Sequence, residues 1–130
     1  MISDRVGDFI VRLKNAGAVG KTVVLVPYSE HLAAIAEKLR AVGFVGSIET
    51  NGRPNKVLSV SIAYDESGRS RIHGVKRLSR PGCRSYLPAR LVHGVKGGRG
   101  ARILSTPRGI LTDAEARKVR SGGEALFEIW

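Results

Sequence analysis

Apolar residues open the chain at helical spacing: Ile2, Val6, Phe9, Ile10 and Leu13 fall on one face of a 3.6-residue period. Ser3 or Asp4 can cap this helix and Gly17 can end it. Thr22 to Val26 is a β-branched run that predicts a short strand, broken by Pro27 and Tyr28. Ser29 can cap a second helix, whose Leu32, Ile35, Ala36 and Leu39 share a face before Gly43 stops it. Phe44 to Thr50 predicts a strand, and Asn51-Gly52-Arg53-Pro54-Asn55 a turn. In the next segment Leu58, Val60, Ile62 and Tyr64 alternate with Ser59, Ser61 and Ala63, the period of a half-buried strand. The two strands should pair as a hairpin with helices over their apolar face, giving an α-β-α-β-β lobe.

Asp65-Glu66-Ser67-Gly68 has the composition of a connector, and beyond it the pattern changes. Arg71 to Leu78 and Cys83 to Leu87 are candidate strands around the turn Ser79-Arg80-Pro81-Gly82. Gly94, Gly97, Gly98 and Gly100 crowd one segment too closely for a helix interior. Ala101 to Leu104 predicts a strand, Thr112-Asp113-Ala114-Glu115 is a capping box opening a short helix, Ser121-Gly122-Gly123 ends it, and Ala125 to Ile129 predicts a terminal strand. The expected fold class is α+β in two small lobes, an N-terminal α-β-α-β-β lobe over 1–66 and a C-terminal, mostly antiparallel β lobe with a short helix over 67–130.

Charge changes the picture. The 130 residues carry a net charge of +11, and the excess lies in the middle. From Ser67 to Thr112 there is no acid, but there are eleven cations: Arg69, Arg71, Lys76, Arg77, Arg80, Arg84, Arg90, Lys96, Arg99, Arg102 and Arg108. A solvated surface mixes both signs, so a one-sign stretch of this length points to a polyanionic partner. Nine of the eleven are arginine, whose planar fork suits phosphate and base edges. No apolar run approaches the roughly 20 residues needed to span a bilayer, and no basic amphipathic helix with bulky aromatics is present, so nucleic acid is expected and a membrane is not. Met1 to Asp8 lacks the apolar segment of a signal peptide. The lone Cys83 fits a small buried apolar residue better than a reactive thiol.

Catalytic chemistry finds little to stand on. His31, His73 and His93 lie on separate elements, none at metal-ligand spacing from an acid or cysteine, and the glycine-rich segment contains no dinucleotide or P-loop motif. Asp4 and Asp8 share a helix face, where negative charge near the N-terminus is favourable. No enzyme, cofactor or metal site is expected.

Three segments could read RNA. In Ser105-Thr106-Pro107-Arg108-Gly109 two hydroxyls offer donors and acceptors, Pro107 fixes a turn, Gly109 permits close approach and Arg108 adds charge. In Arg80 to Tyr86, Tyr86 can stack on an unpaired base beside Arg84, or equally can belong to the core. In Gly122-Gly123-Glu124 the carboxylate can accept from base amino groups, or can be a strand-edge acid after a glycine helix stop.

Together these residues resemble a known family. Ser105 to Asp113, followed by Ala116-Arg117 and Gly122-Gly123-Glu124, is similar to the signature of the eighth protein of the bacterial small ribosomal subunit. Asp4, Asp8, Arg12, Asn15 and Ala16 match its first helix, and Ser79-Arg80-Pro81-Gly82 with Tyr86 match a middle segment. Thr112-Asp113 resembles the bacterial and organellar form, and the sequence departs from the pattern at Arg5, Val6, Glu30, His31, Leu32, Arg99 and Ala101. The resemblance implies a structural constituent of the small subunit that binds an irregular loop in the central domain of small-subunit rRNA and stabilises its fold during assembly. It implies RNA contacts at Ser105, Thr106, Tyr86, Gly122, Gly123 and Glu124, with Pro107, Arg108, Arg84 and Arg80 in the same segments and an N-lobe contact near Pro27 to Leu32 that includes Ser29. Neighbouring ribosomal proteins are implied partners, as is the operon mRNA that some members repress. The implied location is the ribosome, in the cytoplasm or in an organelle's matrix or stroma. The competing reading is a non-specific architectural nucleic-acid-binding protein.

Overall fold

A computed structural model describes residues 4–52, 55–95 and 98–130. Met1, Ile2, Ser3, Arg53, Pro54, Lys96 and Gly97, which enter the expectations above, lie outside those residues. The order of elements is α1 (Arg5–Ala18), β1 (Val23–Pro27), α2 (Glu30–Ala41), β2 (Val45–Asn51), β3 (Val57–Ile62), β4 (Val75–Arg77), β5 (Tyr86–Leu87), a 3-10 turn (Ala89–Leu91), β6 (Ala101–Thr106), β7 (Gly109–Thr112), α3 (Asp113–Val119) and β8 (Gly123–Ile129). The described residues thus hold three helices and two antiparallel sheets, an α+β fold. They divide into one unit of residues 8–73 and another of residues 4–7 with 74–130.

In the unit of residues 8–73 the sheet order is β1-β3-β2. The predicted β2–β3 hairpin forms, with Asn51 opposite Val57 and Thr50 opposite Leu58. Alternation places Leu58, Val60 and Ile62 inside, and Phe9, Leu13, Ile35 and Leu39 are fully buried. Burying each such side chain is worth about 1.5–3 kcal/mol, which outweighs the weak intrinsic preferences of these short elements. Ser29 caps α2 by accepting from the Leu32 N–H at 3.1 Å, and Gly43, at φ 89°, follows its C-terminus. Two expectations fail locally. Gly17 lies inside α1, where an added Cβ would sit 2.7 Å from the Ser70 Cβ, and the turn comes at Gly20 with φ 79°. Tyr64 lies beyond β3, with its hydroxyl donated to the Lys21 carbonyl.

The second unit is organised by its last strand. β8 pairs with β6 on one side, and on the other with both β4 and β5; β6 continues to β7. The expected strands over 71–78 and 83–87 shrink to three and two residues, and each pairs with β8 rather than with the other. Between them the chain loops out, closing a tight turn in which Arg80 and Cys83 exchange backbone hydrogen bonds of 3.1 and 2.9 Å. β7 and the 3-10 turn have no periodic signal in the sequence. β7 exists because Ile110 and Leu111 pair with Ser105 and Leu104. The capping box of α3 forms as predicted: Thr112 accepts from the Glu115 N–H at 3.2 Å, and Glu115 accepts from the Thr112 N–H at 3.0 Å.

Gly122 and Gly123 do more than stop a helix. A Cβ on Gly122 would lie 2.8 Å from the Ala89 nitrogen and the Pro88 Cα, and one on Gly123 would lie 2.9 Å from the Ser105 carbonyl carbon and 3.0 Å from the Thr106 Cα. The pair lets β8 start between the β5 segment and β6 with no side chain in the way.

Candidate nucleic-acid interface

Strand register brings three of the sequence-predicted residues into one row. Tyr86 pairs with Glu124 across β5 and β8, and Glu124 pairs with Ser105 across β8 and β6. Directly opposed residues of antiparallel strands point to the same face, with Cβ atoms about 5 Å apart. Leu87, Leu104 and Leu111 alternate with this row and pack with Val92 and Ala116 of the α3 side. The row therefore occupies the sheet face opposite α3.

Each member of the row has a distinct chemistry. Tyr86 is 68% exposed, which resolves its two readings in favour of a surface ring. Glu124 is held: Arg84 donates to its Oε2 at 3.0 Å, and the fully buried Ser79 donates its hydroxyl to the same oxygen. The Ser85 N–H in turn donates to the Ser79 Oγ at 3.1 Å, so the loop that precedes Tyr86 is tied to β8. Partial burial alone would raise the Glu124 carboxyl, but the hydrogen bonds from Ser79 and Arg84 outweigh it and hold the group below its ordinary range. Glu124 is thus an acceptor fixed in place and ionised at neutral pH. Ser79 is the residue that the sequence reading missed in this role, and an isolated buried serine carries no signal in a sequence.

The two hydroxyls of the Ser-Thr segment part company. Pro107 and Arg108 form the two-residue loop between β6 and β7. Proline's fixed φ excludes the mirror-image turns usual in such loops, and the chain closes through Gly109 at φ 108°. The Thr106 hydroxyl is engaged in this turn, donating to the Gly109 carbonyl at 2.9 Å and accepting from the Arg108 N–H at 3.1 Å. The Ser105 hydroxyl has no partner among the described residues, and it stands next to Glu124. Arg108 is exposed at the loop tip and Arg80 is exposed in its own turn.

Not every expected residue joins this group. Ser29 belongs to the unit of residues 8–73, with its hydroxyl engaged in the α2 cap, beside a Lys56 ammonium 5.3 Å from the centre of the Tyr28 ring. Cys83 is exposed rather than buried, because the narrow turn facing Arg80 leaves it no core to enter.

The cationic stretch also divides. Arg77 pairs with Asp4 at 3.1 Å, Arg84 with Glu124 at 3.0 Å and Arg102 with Glu128 at 2.7 Å, so three guanidiniums meet acids drawn from outside the stretch. Burial raises the Asp4 carboxyl, yet the bonds from Arg77 and from the Gly7 N–H lower it further, leaving it below its ordinary range. In the same unit Lys76, Arg80, Arg99 and Arg108 are exposed with no ion pair among the described residues. Such a surface can hold phosphates. Among the described residues no cluster of His, Cys, Asp or Glu could hold a metal, and no helix is long and apolar enough to cross a membrane.

The sequence profile of the family described as Ribosomal protein S8 matches residues 4–130. Proteins named small ribosomal subunit protein uS8 match along nearly their whole length. That of Chloroflexus aggregans is 38% identical over 99% of this chain and 98% of its own. That of Persephonella marina is 40% identical over the full length of both, and that of Mycoplasmopsis agalactiae is 41% identical over 99% of this chain and 98% of its own.

Proposed function

The chain belongs to the ribosomal protein S8 family, and from that premise we propose that it binds the central domain of small-subunit rRNA directly, stabilising one fold of that RNA while the subunit assembles. The observation that carries this reading is the row Tyr86–Glu124–Ser105, which sets an exposed ring, a fixed carboxylate and an unengaged hydroxyl side by side. Tyr86 stacks on an unpaired base, Glu124 accepts from a base amino group, and Ser105 hydrogen-bonds a base edge or a 2′-hydroxyl. Exposed arginines such as Arg80 and Arg108 contact phosphates, supplying affinity and salt dependence without sequence choice. The close-approach glycines, Gly122 and Gly123, keep side chains off the β8 end of this surface. Neighbouring small-subunit proteins are partners in the same particle.

Binding of a central-domain rRNA fragment across a salt series tests this reading. Tyr86→Ala should lose about tenfold or more in affinity, the usual worth of one base–aromatic stack, with the wild-type salt slope kept. Ser105→Ala should lose affinity in the same way, while Thr106→Ala should act chiefly by loosening the turn. Equal wild-type affinity for the fragment and for random duplex DNA at matched salt would instead make the protein a non-specific architectural binder.

A further inference from the structure

A cavity of about 400 Å³ lies between the 3-10 turn and the C-terminal end of α3, lined by Ala89, Arg90, Val92, Arg117 and Arg120. Three of its five lining residues are arginines. Arg117 is steadied by Asp113 at 3.1 Å, and the buried Asp113 also accepts from the Arg102 N–H at 3.0 Å. Arg90 and Arg120 are exposed and have no acidic partner among the described residues, so the cavity carries net positive charge.

Arg120 has a second peculiarity. It follows α3 at φ 54° and ψ 44°, and it is the one non-glycine residue with positive φ among those described. This helix-terminal position favours glycine, because a Cβ is strained there. Strain held at a residue whose side chain lines a charged cavity marks a place where the side chain is wanted more than the easier backbone. The cavity also lies on the α3 side of the sheet, behind Leu87, Leu104 and Leu111, and so on the face opposite the Tyr86–Glu124–Ser105 row.

We propose that Arg90, Arg117 and Arg120 form a phosphate-binding pocket that takes a backbone phosphate of a second RNA segment, so that the protein clamps two stretches of RNA on opposite faces of one sheet. Paired guanidinium forks match phosphate oxygens, and three arginines with no lysine among the described lining residues favour such bidentate contact over a diffuse field. The inference rests on the rRNA-binding reading only for the nature of the second segment; the pocket itself stands or falls without it.

The test uses the full chain. First, the isotope-labelled protein is titrated with inorganic phosphate at constant ionic strength. The Arg90 and Arg120 Nε–H signals and the Val92 amide should shift together and saturate; failure to shift overturns the pocket. Second, wild type and an Arg90→Gln/Arg120→Gly variant are compared on the short central-domain fragment and on intact small-subunit rRNA across a salt series. Arg120→Gly relieves the backbone strain, so a raised urea midpoint accompanying weaker binding excludes misfolding as the cause. The expected result is unchanged affinity for the fragment, with about tenfold weaker binding to intact rRNA and a salt slope reduced by about one for each phosphate no longer held. Equal losses on both RNAs overturn the separate second site. Unchanged binding to both, with weakened retention of other small-subunit proteins, overturns the proposal in favour of a protein site. If wild type fails to prefer the fragment, the rRNA reading of the Tyr86 face falls, and the phosphate titration and the intact-rRNA slope still decide the pocket.

Discussion

The ion pairs of the two units are built at different distances along the chain. In residues 8–73, Arg12 meets Asp8 four residues away within α1 and Arg40 meets Glu37 three away within α2, both pairs open to solvent. In the other unit Arg77 reaches Asp4 across 73 residues, Arg84 reaches Glu124 across 40 and Arg102 reaches Glu128 across 26. The first kind decorates helices that would form without it and is worth a few tenths of a kcal/mol. The second kind closes a sheet whose strands are too short to persist alone, and it draws Arg77 and Arg102 largely out of solvent while Arg84 stays exposed. Arg117 with Asp113 repeats the local pattern there. The glycines do not divide this way: Gly20 bends the backbone in open space and Gly17 makes room for Ser70 within one unit, while Gly82 stands in open space and Gly122 and Gly123 make room for other strands in the other.

The sharpest break of this comparison is Gly123→Ala. The added Cβ meets the backbone of β6, which cannot yield as a flexible side chain would, so a loss of about 3 kcal/mol is expected from the urea midpoint. Gly82→Ala in the neighbouring loop, with open space and no positive φ, should stay within about 0.5 kcal/mol of wild type. A similar loss at both sites would mean that close approach to β6 does not set the cost at Gly123, because the lowered entropy of the unfolded chain favours alanine at either position.

Asp4→Asn should be the next largest. Arg77, only 13% exposed, then keeps the Leu126 carbonyl but loses its carboxylate, and a destabilisation of about 1–2 kcal/mol is expected in the same assay. Asp8→Asn, which breaks an exposed local pair, should change stability by less than about 0.5 kcal/mol.

Helix caps should erase the difference between the units, since a cap is local wherever it sits. Ser29→Ala and Thr112→Ala should each cost about 1 kcal/mol in thermal or chemical unfolding. A much larger loss at Thr112 would show that β7 depends on the α3 cap.

The smallest effect is a pH dependence. Glu124 is held below its ordinary value of 4.5 in the folded chain. A lowered carboxyl contributes stability that is fully present above the unfolded value and is lost as pH falls through the folded one. The urea midpoint should therefore decline on acidification below that ordinary value, and less steeply in Glu124→Gln, whose side chain does not titrate. An unaltered acid slope in that variant would assign the sensitivity to Asp4 and Asp65, which are lowered in the same direction.

Much of the unit over residues 8–73 was legible from periodicity. The buried faces of α1 and α2, the alternation of β3, the Ser29 cap and the Gly43 stop follow from residues within a few positions of one another. The capping box of α3 was legible for the same reason. The site was legible in part: the cationic stretch, the Ser-Thr segment, Tyr86 and Glu124 could each be picked out, but not their order in space. What a hydroxyl is free to do was not legible at all. Ser105 and Thr106 are adjacent and chemically alike, and only the closing of the β6–β7 turn engages one and leaves the other open.

Sequence alone determined the α+β class, the Ser29 and Thr112 caps, the one-sign charge of the middle and the family resemblance, because these depend on local pattern or on composition. Tertiary structure decided that two short strands share the edge of β8, that Tyr86 is outside, that Cys83 is exposed and that Arg77, Arg84 and Arg102 are paired. Each of those outcomes is a contact between residues distant in the chain. Such contacts depend on the register of strands, and register is set by the packing of the whole sheet rather than by any one segment.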